Sequence, residues 1–179
     1  IKQVVIATRD PNPRHAGKGL KILRGQGIRV IEGIGAAEGM DLIAPFAKWI
    51  TTKKPYLTLK LAMSLDGKLA DAQGHSRWIS GEASRNKVQD LRRQADAILV
   101  GRRTVQKDNP SLLPRPPRGR KPFRVVMAAA GDIPSQSQIL TDSRAGQTIV
   151  VVSRACPART VQRLKIKGAQ VVRLASAKG

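Results

Sequence analysis

The run Tyr56-Leu57-Thr58-Leu59-Lys60-Leu61-Ala62-Met63, broken at Ser64-Leu65-Asp66-Gly67-Lys68, is the stretch around which the 179-residue chain is organised. Its apolar pattern predicts a strand that ends in a polar turn. A second tight segment, Gly74-His75-Ser76-Arg77-Trp78-Ile79-Ser80-Gly81, leads into a charged helical pattern from Glu82 to Arg93. Ser80 stands where an N-cap belongs, Glu82 lies in the first turn, and Arg92 and Arg93 lie in the last, as the helix dipole favours. Val88 and Leu91 mark the face expected to be buried. Ala97-Ile98-Leu99-Val100 then reads as a buried-type strand ending at Gly101, followed by Thr104-Val105 and Asp108-Asn109-Pro110-Ser111-Leu112. Strand, loop, helix, strand and loop in close succession describe an open α/β sheet. Such sheets bind ligands in the loops at their strand carboxyl ends. The site belongs here.

Upstream, Val4-Val5-Ile6-Ala7 predicts a short strand stopped by the turn signals Asp10-Pro11-Asn12-Pro13. Leu20, Ile22 and Leu23 predict a helix closing at Gly25 and Gly27, and Ile28-Arg29-Val30-Ile31 the next strand. This β-α-β order implies parallel strands. Gly17-Lys18-Gly19 and Gly33-Ile34-Gly35 lack the third glycine and the strand spacing of a dinucleotide fingerprint, so they read as turn and cap glycines. Helical spacing from Ala36 to Ile50 contains Pro45, which should kink or divide it. The polar break Thr51-Thr52-Lys53-Lys54-Pro55 places a domain boundary between residues 1–52 and 53–179. Downstream, the proline- and arginine-rich run from Leu112 to Pro122 predicts an exposed loop. Phe123 to Met127 predicts a strand, Thr148 to Val152 a fully buried one, Pro157 to Lys167 a helix, and Ala169 to Leu174 a last strand.

Composition narrows the function. Hydrophobic residues make up 41% and aromatics 3%, so the core must be aliphatic. No apolar run approaches membrane-spanning length. Ile1 in a strand pattern, rather than Met, suggests a segment of a longer protein. The single Cys156 excludes an internal disulfide and fits a reducing cytosol, with a structural role beside Pro157. A net charge of +21 would suit a nucleic-acid binder. The cations are nevertheless spread out, apart from Arg115-Pro116-Pro117-Arg118-Gly119-Arg120-Lys121, and no aromatic–basic alternation offers a stacking surface. Most of this charge reads as solvated surface. His15, His75 and Cys156 have no ligand spacing, so no metal site can be built. A serine triad lacks its G-x-S-x-G.

The ordered strings Leu59-Lys60-Leu61-Ala62-Met63-Ser64-Leu65-Asp66-Gly67-Lys68, Ser76-Arg77-Trp78-Ile79-Ser80 and Thr104-Val105-x-x-Asp108-Asn109-Pro110 resemble the reductase domain of the bifunctional riboflavin-biosynthesis deaminase–reductase. Asp10-Pro11-Asn12-Pro13, Gly17 and Gly19 resemble the closing part of that family's deaminase domain. The resemblance implies a dihydrofolate-reductase-like, mostly parallel sheet with flanking helices, preceded by the last β-α-β part of a cytidine-deaminase-like domain. It implies a cytoplasmic, homodimeric enzyme that joins through the reductase domain. The implied reaction is NADPH-dependent reduction of the ribosyl side chain of 5-amino-6-(5-phosphoribosylamino)uracil to the ribitylamino product. By the same resemblance, Ala62, Trp78, Thr104 and Asp108 contact the cofactor, and Ser76, Arg92, Leu112 and Arg115 contact the phosphorylated pyrimidine. No residue is assigned as the general acid.

Departures from the family pattern matter as much. The zinc signature of its deaminase half, H-x-E with P-C-x-x-C, is missing, so no deamination is expected. Ala128-Ala129 stands where the family carries an Asp-Ser pair. Arg102-Arg103 stands where small residues are common, either to strengthen 2′-phosphate binding or to face solvent. The family's acidic, glycine-containing cofactor loop is expected beyond Gly179. Two other readings compete: a related reductase acting on another pterin or pyrimidine, and a basic nucleic-acid-binding module without catalysis.

Overall fold

The computed structural model describes residues 1–76 and 78–175, so Arg77 of the second motif and the end at Lys178-Gly179 lie outside the described residues. The chain divides into two compact units, Ile1–Leu61 and Ala62–Gly179.

In the first unit β1 (Gln3–Ile6) pairs in parallel with β2 (Arg29–Glu32), from Gln3 opposite Arg29 to Ile6 opposite Glu32. A parallel pair needs a crossover, and α1 (Lys18–Gly25) supplies it. The Asp10–Pro13 turn is closed by its own side chains: the Asn12 amide donates to Asp10 Oδ1 at 2.8 Å and the Arg14 amide to Asn12 Oδ1 at 3.0 Å. Pro45 divides the next helical run, as expected, into α2 (Ala36–Leu42) and α3 (Ala44–Thr52). It sits in the first turn of α3, where a missing N–H costs nothing. Gly39 is needed for close approach, because a Cβ there would lie 2.6 Å from Ala7 Cβ. None of residues 1–61 is buried.

The apolar run at Tyr56–Met63 does not form the predicted strand. It has no ladder partner among the described residues, and Leu57, Leu59, Leu61 and Met63 are all exposed. Alternation describes a strand's faces, but only a neighbour's main chain makes it a strand. The turn that follows does form. Ser64 Oγ donates to Asp66, Lys68 Nζ pairs with Asp66 at 2.9 Å, and Gly67 adopts φ 78.

The second unit is built on four parallel strands in spatial order β3 (Ala97–Gly101), β4 (Phe123–Met127), β5 (Thr148–Ser153) and β6 (Gln170–Leu174). Leu99 lies opposite Val125, Val125 opposite Ile149, and Val151 opposite Val172. One face is sealed. Val126, Val150 and Val152 are at most 1% exposed, in one cluster with Val105 of α5 (Arg102–Asp108), Ile139 and Leu140 of α6 (Gln138–Thr141), and Leu164 of α7 (Ala158–Ile166). The other face, carrying Leu99, Phe123, Met127 and Val172, is open. Thr148–Val152 is therefore buried on one side only, and Ile149 and Val151 are half-buried.

Three further expectations change. Gly101 leads straight into α5, because Val105 has a core to enter. The 112–122 segment is exposed only from 115 to 121, since Leu112, Pro114 and Pro122 are buried anchors. The helix at 82–94, α4 (Glu82–Gln94), has Gly81 and not Ser80 at its N-cap, without a side-chain cap bond. Ser80 instead offers its carbonyl to Arg85 Nη1 at 2.6 Å. Neither Val88 nor Leu91 is buried in α4. Cys156 is free and buried, with Sγ 3.4 Å from the Ala130 carbonyl.

Candidate active site

Because all four strands run the same way, their carboxyl ends come together along one edge of the sheet. A cleft of about 560 Å³ opens there, lined by Gly101 of β3, Met127 of β4, Ser153 of β5 and Leu174 of β6. Arg102 and Arg103 of α5 line it, as do Ala128 and Ala129. Arg102 pairs with Asp132 at 2.6 Å. Arg103 is exposed and has no hydrogen-bond or ion-pair partner among the described residues. Small residues at strand ends and a spare guanidinium make a surface that a nucleotide phosphate can approach closely.

A second arrangement lies where α4 ends. Arg92 is half-buried and donates from Nη1 to the Leu113 carbonyl at 3.4 Å. Burial, and then repulsion from the Arg115 guanidinium, holds its pKa below the usual arginine value. The Arg115 amide donates to Gln89 Oε1 at 2.9 Å, and Arg93 Nη2 to the Arg115 carbonyl at 2.9 Å, so the last turn of α4 grips this loop. Two like charges close enough to disfavour each other are what an anion would relieve.

The other predicted residues fall in several places. Thr104 is exposed on α5, next to the cleft-lining Arg103, and Asp108 is the last residue of that helix, half-buried. Leu112 has φ 59 and its side chain is in the core, so only its main chain remains for a ligand. Ser76 is half-buried. Trp78 is exposed, with the Arg85 guanidinium 4.5 Å from its ring centroid. Ala62 is half-buried. Neither Ala62 nor Trp78 lines the cleft. The structure thus brings Arg92 near Arg115, while Thr104 follows Arg103 on α5 without lining the cleft. Neither Ser153 nor Leu174 stood out in the motifs, although Leu174 ends one predicted strand and Ser153 directly follows another, and the carboxyl-end rule could have found them.

Residues 55–178 match the family model of the RibD C-terminal domain. The chain belongs to that family. It is 42% identical over 173 residues to riboflavin biosynthesis protein RibD of Aquifex aeolicus, a match covering 96% of this chain and 48% of that protein. The structure of Acinetobacter baumannii RibD superposes with a TM-score of 0.76 at 36% identity, covering 99% of this chain and 49% of the other. A diaminohydroxyphosphoribosylaminopyrimidine deaminase/5-amino-6-(5-phosphoribosylamino)uracil reductase from Thermotoga maritima superposes at 0.72 with 34% identity, covering 98% and 54%. The chain spans about half the length of the curated relatives it matches. The architecture is that of the RibD reductase domain, a parallel sheet with flanking helices of dihydrofolate-reductase type.

Among the described residues no three His, Cys, Asp or Glu side chains gather as a metal site would require, and no helix is long and apolar enough to cross a membrane.

Proposed function

We propose that the chain acts in riboflavin biosynthesis as an oxidoreductase, reducing the ribosyl side chain of 5-amino-6-(5-phosphoribosylamino)uracil with NADPH. The observation that carries this reading is the Arg92–Arg115 pair: Arg115 sits on a loop tied to α4 through its amide and Gln89 Oε1, near enough for its charge to add to burial in lowering the Arg92 pKa. Family membership and the cleft at the strand ends support it.

The residues of the cleft fit a nicotinamide dinucleotide. Gly101, Ala128 and Ala129 leave room for close approach, and Arg103 has a free charge for a phosphate. Thr104 and Asp108 follow on the same helix, one turn apart. NADPH, when bound, supplies the hydride, and the protein supplies orientation and charge. Arg92 and Arg115 hold the substrate phosphate, with Ser76 and the Leu112 main chain as further substrate contacts, and Ala62 and Trp78 meet the part of the cofactor that extends beyond the cleft lining. Remote binding at the phosphate fixes the ribose for reaction. In the same reading, residues 1–52 are the closing part of a deaminase domain and 53–179 belong to the reductase. The protein works in the cytoplasm as a homodimer through the reductase domain, with no specific nucleic acid as partner.

Each charged contact to the phosphate is expected to contribute about 1.5–3 kcal/mol. Arg92→Ala should therefore weaken substrate binding roughly ten- to a hundredfold, while NADPH affinity stays nearly unchanged. Trp78→Ala should show the opposite bias. Titration of each variant with both ligands is the check. Equal losses would indicate unfolding, and no loss for either ligand would sink the assignment.

A further inference from the structure

Arg124, the second residue of β4, is fully buried, where an arginine persists only if most of its donors are met; both terminal nitrogens are bonded, and Nε has no partner among the described residues. Nη1 and Nη2 take the two carboxylate oxygens of Asp142 at 2.6 and 3.0 Å, a bidentate fork. Nη2 also donates to the Ile139 carbonyl at 3.2 Å, and Nη1 to the Ser111 carbonyl at 3.4 Å. Burial raises the Asp142 pKa, but the Arg124 hydrogen bonds and the Arg144 amide outweigh it and leave the carboxyl below its ordinary value, so the pair is ionised at neutral pH. Apolar replacements of a buried ion pair are often neutral or stabilising, so stability alone is a weak reason for this one.

The contact to Ser111 leads toward the site. Ser111 Oγ accepts from Arg115 Nη2 at 3.5 Å. The next residue, Leu112, is anchored in the core. Upstream the loop is tied by the Gln138 amide to Asn109 Oδ1 at 2.8 Å, and downstream by the Arg115 amide to Gln89. Arg124 grips its middle. We propose that Arg124 and Asp142 form a positioning pair that fixes Ser111 and, through the Arg115 Nη2 bond to Ser111 Oγ, keeps the Arg115 guanidinium near Arg92 for a single phosphate. This rests on the phosphate-site reading above and deepens it. Two repelling guanidiniums would drift apart on a loose loop, and holding them in place removes an ordering cost from binding.

The test separates positioning from plain stability, using the 179-residue chain and ribose 5-phosphate as the probe. In Arg124→Met/Asp142→Asn both charges are gone, while the Asn can still accept from the Arg144 amide, which now donates to Asp142 Oδ1 at 2.9 Å. This variant is expected to melt near the wild-type temperature, to bind ribose 5-phosphate about tenfold more weakly, and to bind NADPH as before. Its Arg115 amide should exchange with solvent faster. Arg124→Lys keeps the buried charge pair but loses the fork, and should lose several-fold in the same titration, which keeps the test alive if the double variant fails to fold. Wild-type affinity for ribose 5-phosphate in a folded variant of either kind overturns the positioning role. If the wild-type chain binds no ribose 5-phosphate, or Arg92→Ala binds it equally well, the phosphate site itself is wrong and the positioning role falls with it.

Discussion

The chain contains two β-α-β units with the same local grammar and different outcomes. In β1-α1-β2 and in β5-α7-β6 the strands are adjacent and parallel, the helix has 8 or 9 residues, and basic side chains occupy its last turn. The first unit buries none of its residues, whereas the second buries Val150, Val152, Val161, Leu164 and Ala169. Propensity and periodicity cannot account for the difference. Sheet width can. The first pair of strands stands as a two-stranded sheet, while β5 and β6 belong to four strands whose sealed face also receives α5 and α6. A helix packed on two strands has too little surface to exclude water, and two strands alone are marginal.

The sharpest way to break this contrast is amide exchange. Core strands open only with global unfolding, while unburied ladders open locally at small cost. The amides of Val126 and Val150 should be protected by orders of magnitude more than those of Val4 and Ile31. Equal protection would mean that the first unit is as firmly closed as the second. Matched substitutions give the next largest effect. Leu164→Ala in α7, where the side chain is fully buried, should cost about 2–5 kcal/mol in chemical denaturation. Leu23→Ala in α1, only half-buried, should cost less than about 1 kcal/mol. Gly131→Ala comes between them. Gly131 has φ 67, and a Cβ there would meet Thr160 Cγ2 at 2.7 Å and Cys156 Sγ at 3.2 Å. Strain and overpacking together should cost roughly 1–3 kcal/mol by the same measurement.

Legibility in the sequence followed whether a feature is local. The break at Pro45, both β-α-β units and the strands at 97–101 and 123–127 were readable, because periodicity, turn residues and proline act within a few positions. Tyr56–Met63 was not, because a strand needs a partner that no short window contains. α5 was hidden for the opposite reason: Arg102 to Asp108 carries one buried residue, Val105, and one point defines no period. The arginines divide in the same way. Composition counts cations but cannot show their tasks, and here many brace the chain. Arg163 donates to the Gly131 and Ile133 carbonyls, Arg173 to that of Arg154, and Arg120 pairs with Asp96. Arg92 and Arg115 were named from motif position, and their mutual repulsion emerged only in three dimensions. Leu112 shows the limit of motif matching, since a residue can belong to a site motif while its side chain serves the core.

The smallest expected effect belongs to the first unit and tests what holds it in place of a core. Glu32, the last residue of β2, pairs with Arg9 beyond β1 and with Arg24 in α1, so one carboxylate ties all three elements. The hydrogen bond from Arg9, followed by that from Arg24, lowers its pKa from an ordinary 4.5 to about 2. A carboxyl whose folded pKa lies below its unfolded one stabilises the fold at pH above the unfolded value. That contribution fades as the pH falls from about 4.5 toward 2 and is gone below it. The carboxylate is exposed enough for salt to screen it, so the energy involved is small. Carboxyl-carbon NMR across this range should give a Glu32 midpoint near 2, moving up toward the ordinary value in Arg9→Ala and, less far, in Arg24→Ala. Amide exchange in β1 and β2 should quicken over the same pH window, after correction for intrinsic rates, while β4 and β5 stay protected. A midpoint near 4.5 in the wild-type chain would leave the two strands without their ionic tie and the contrast between the units without its explanation.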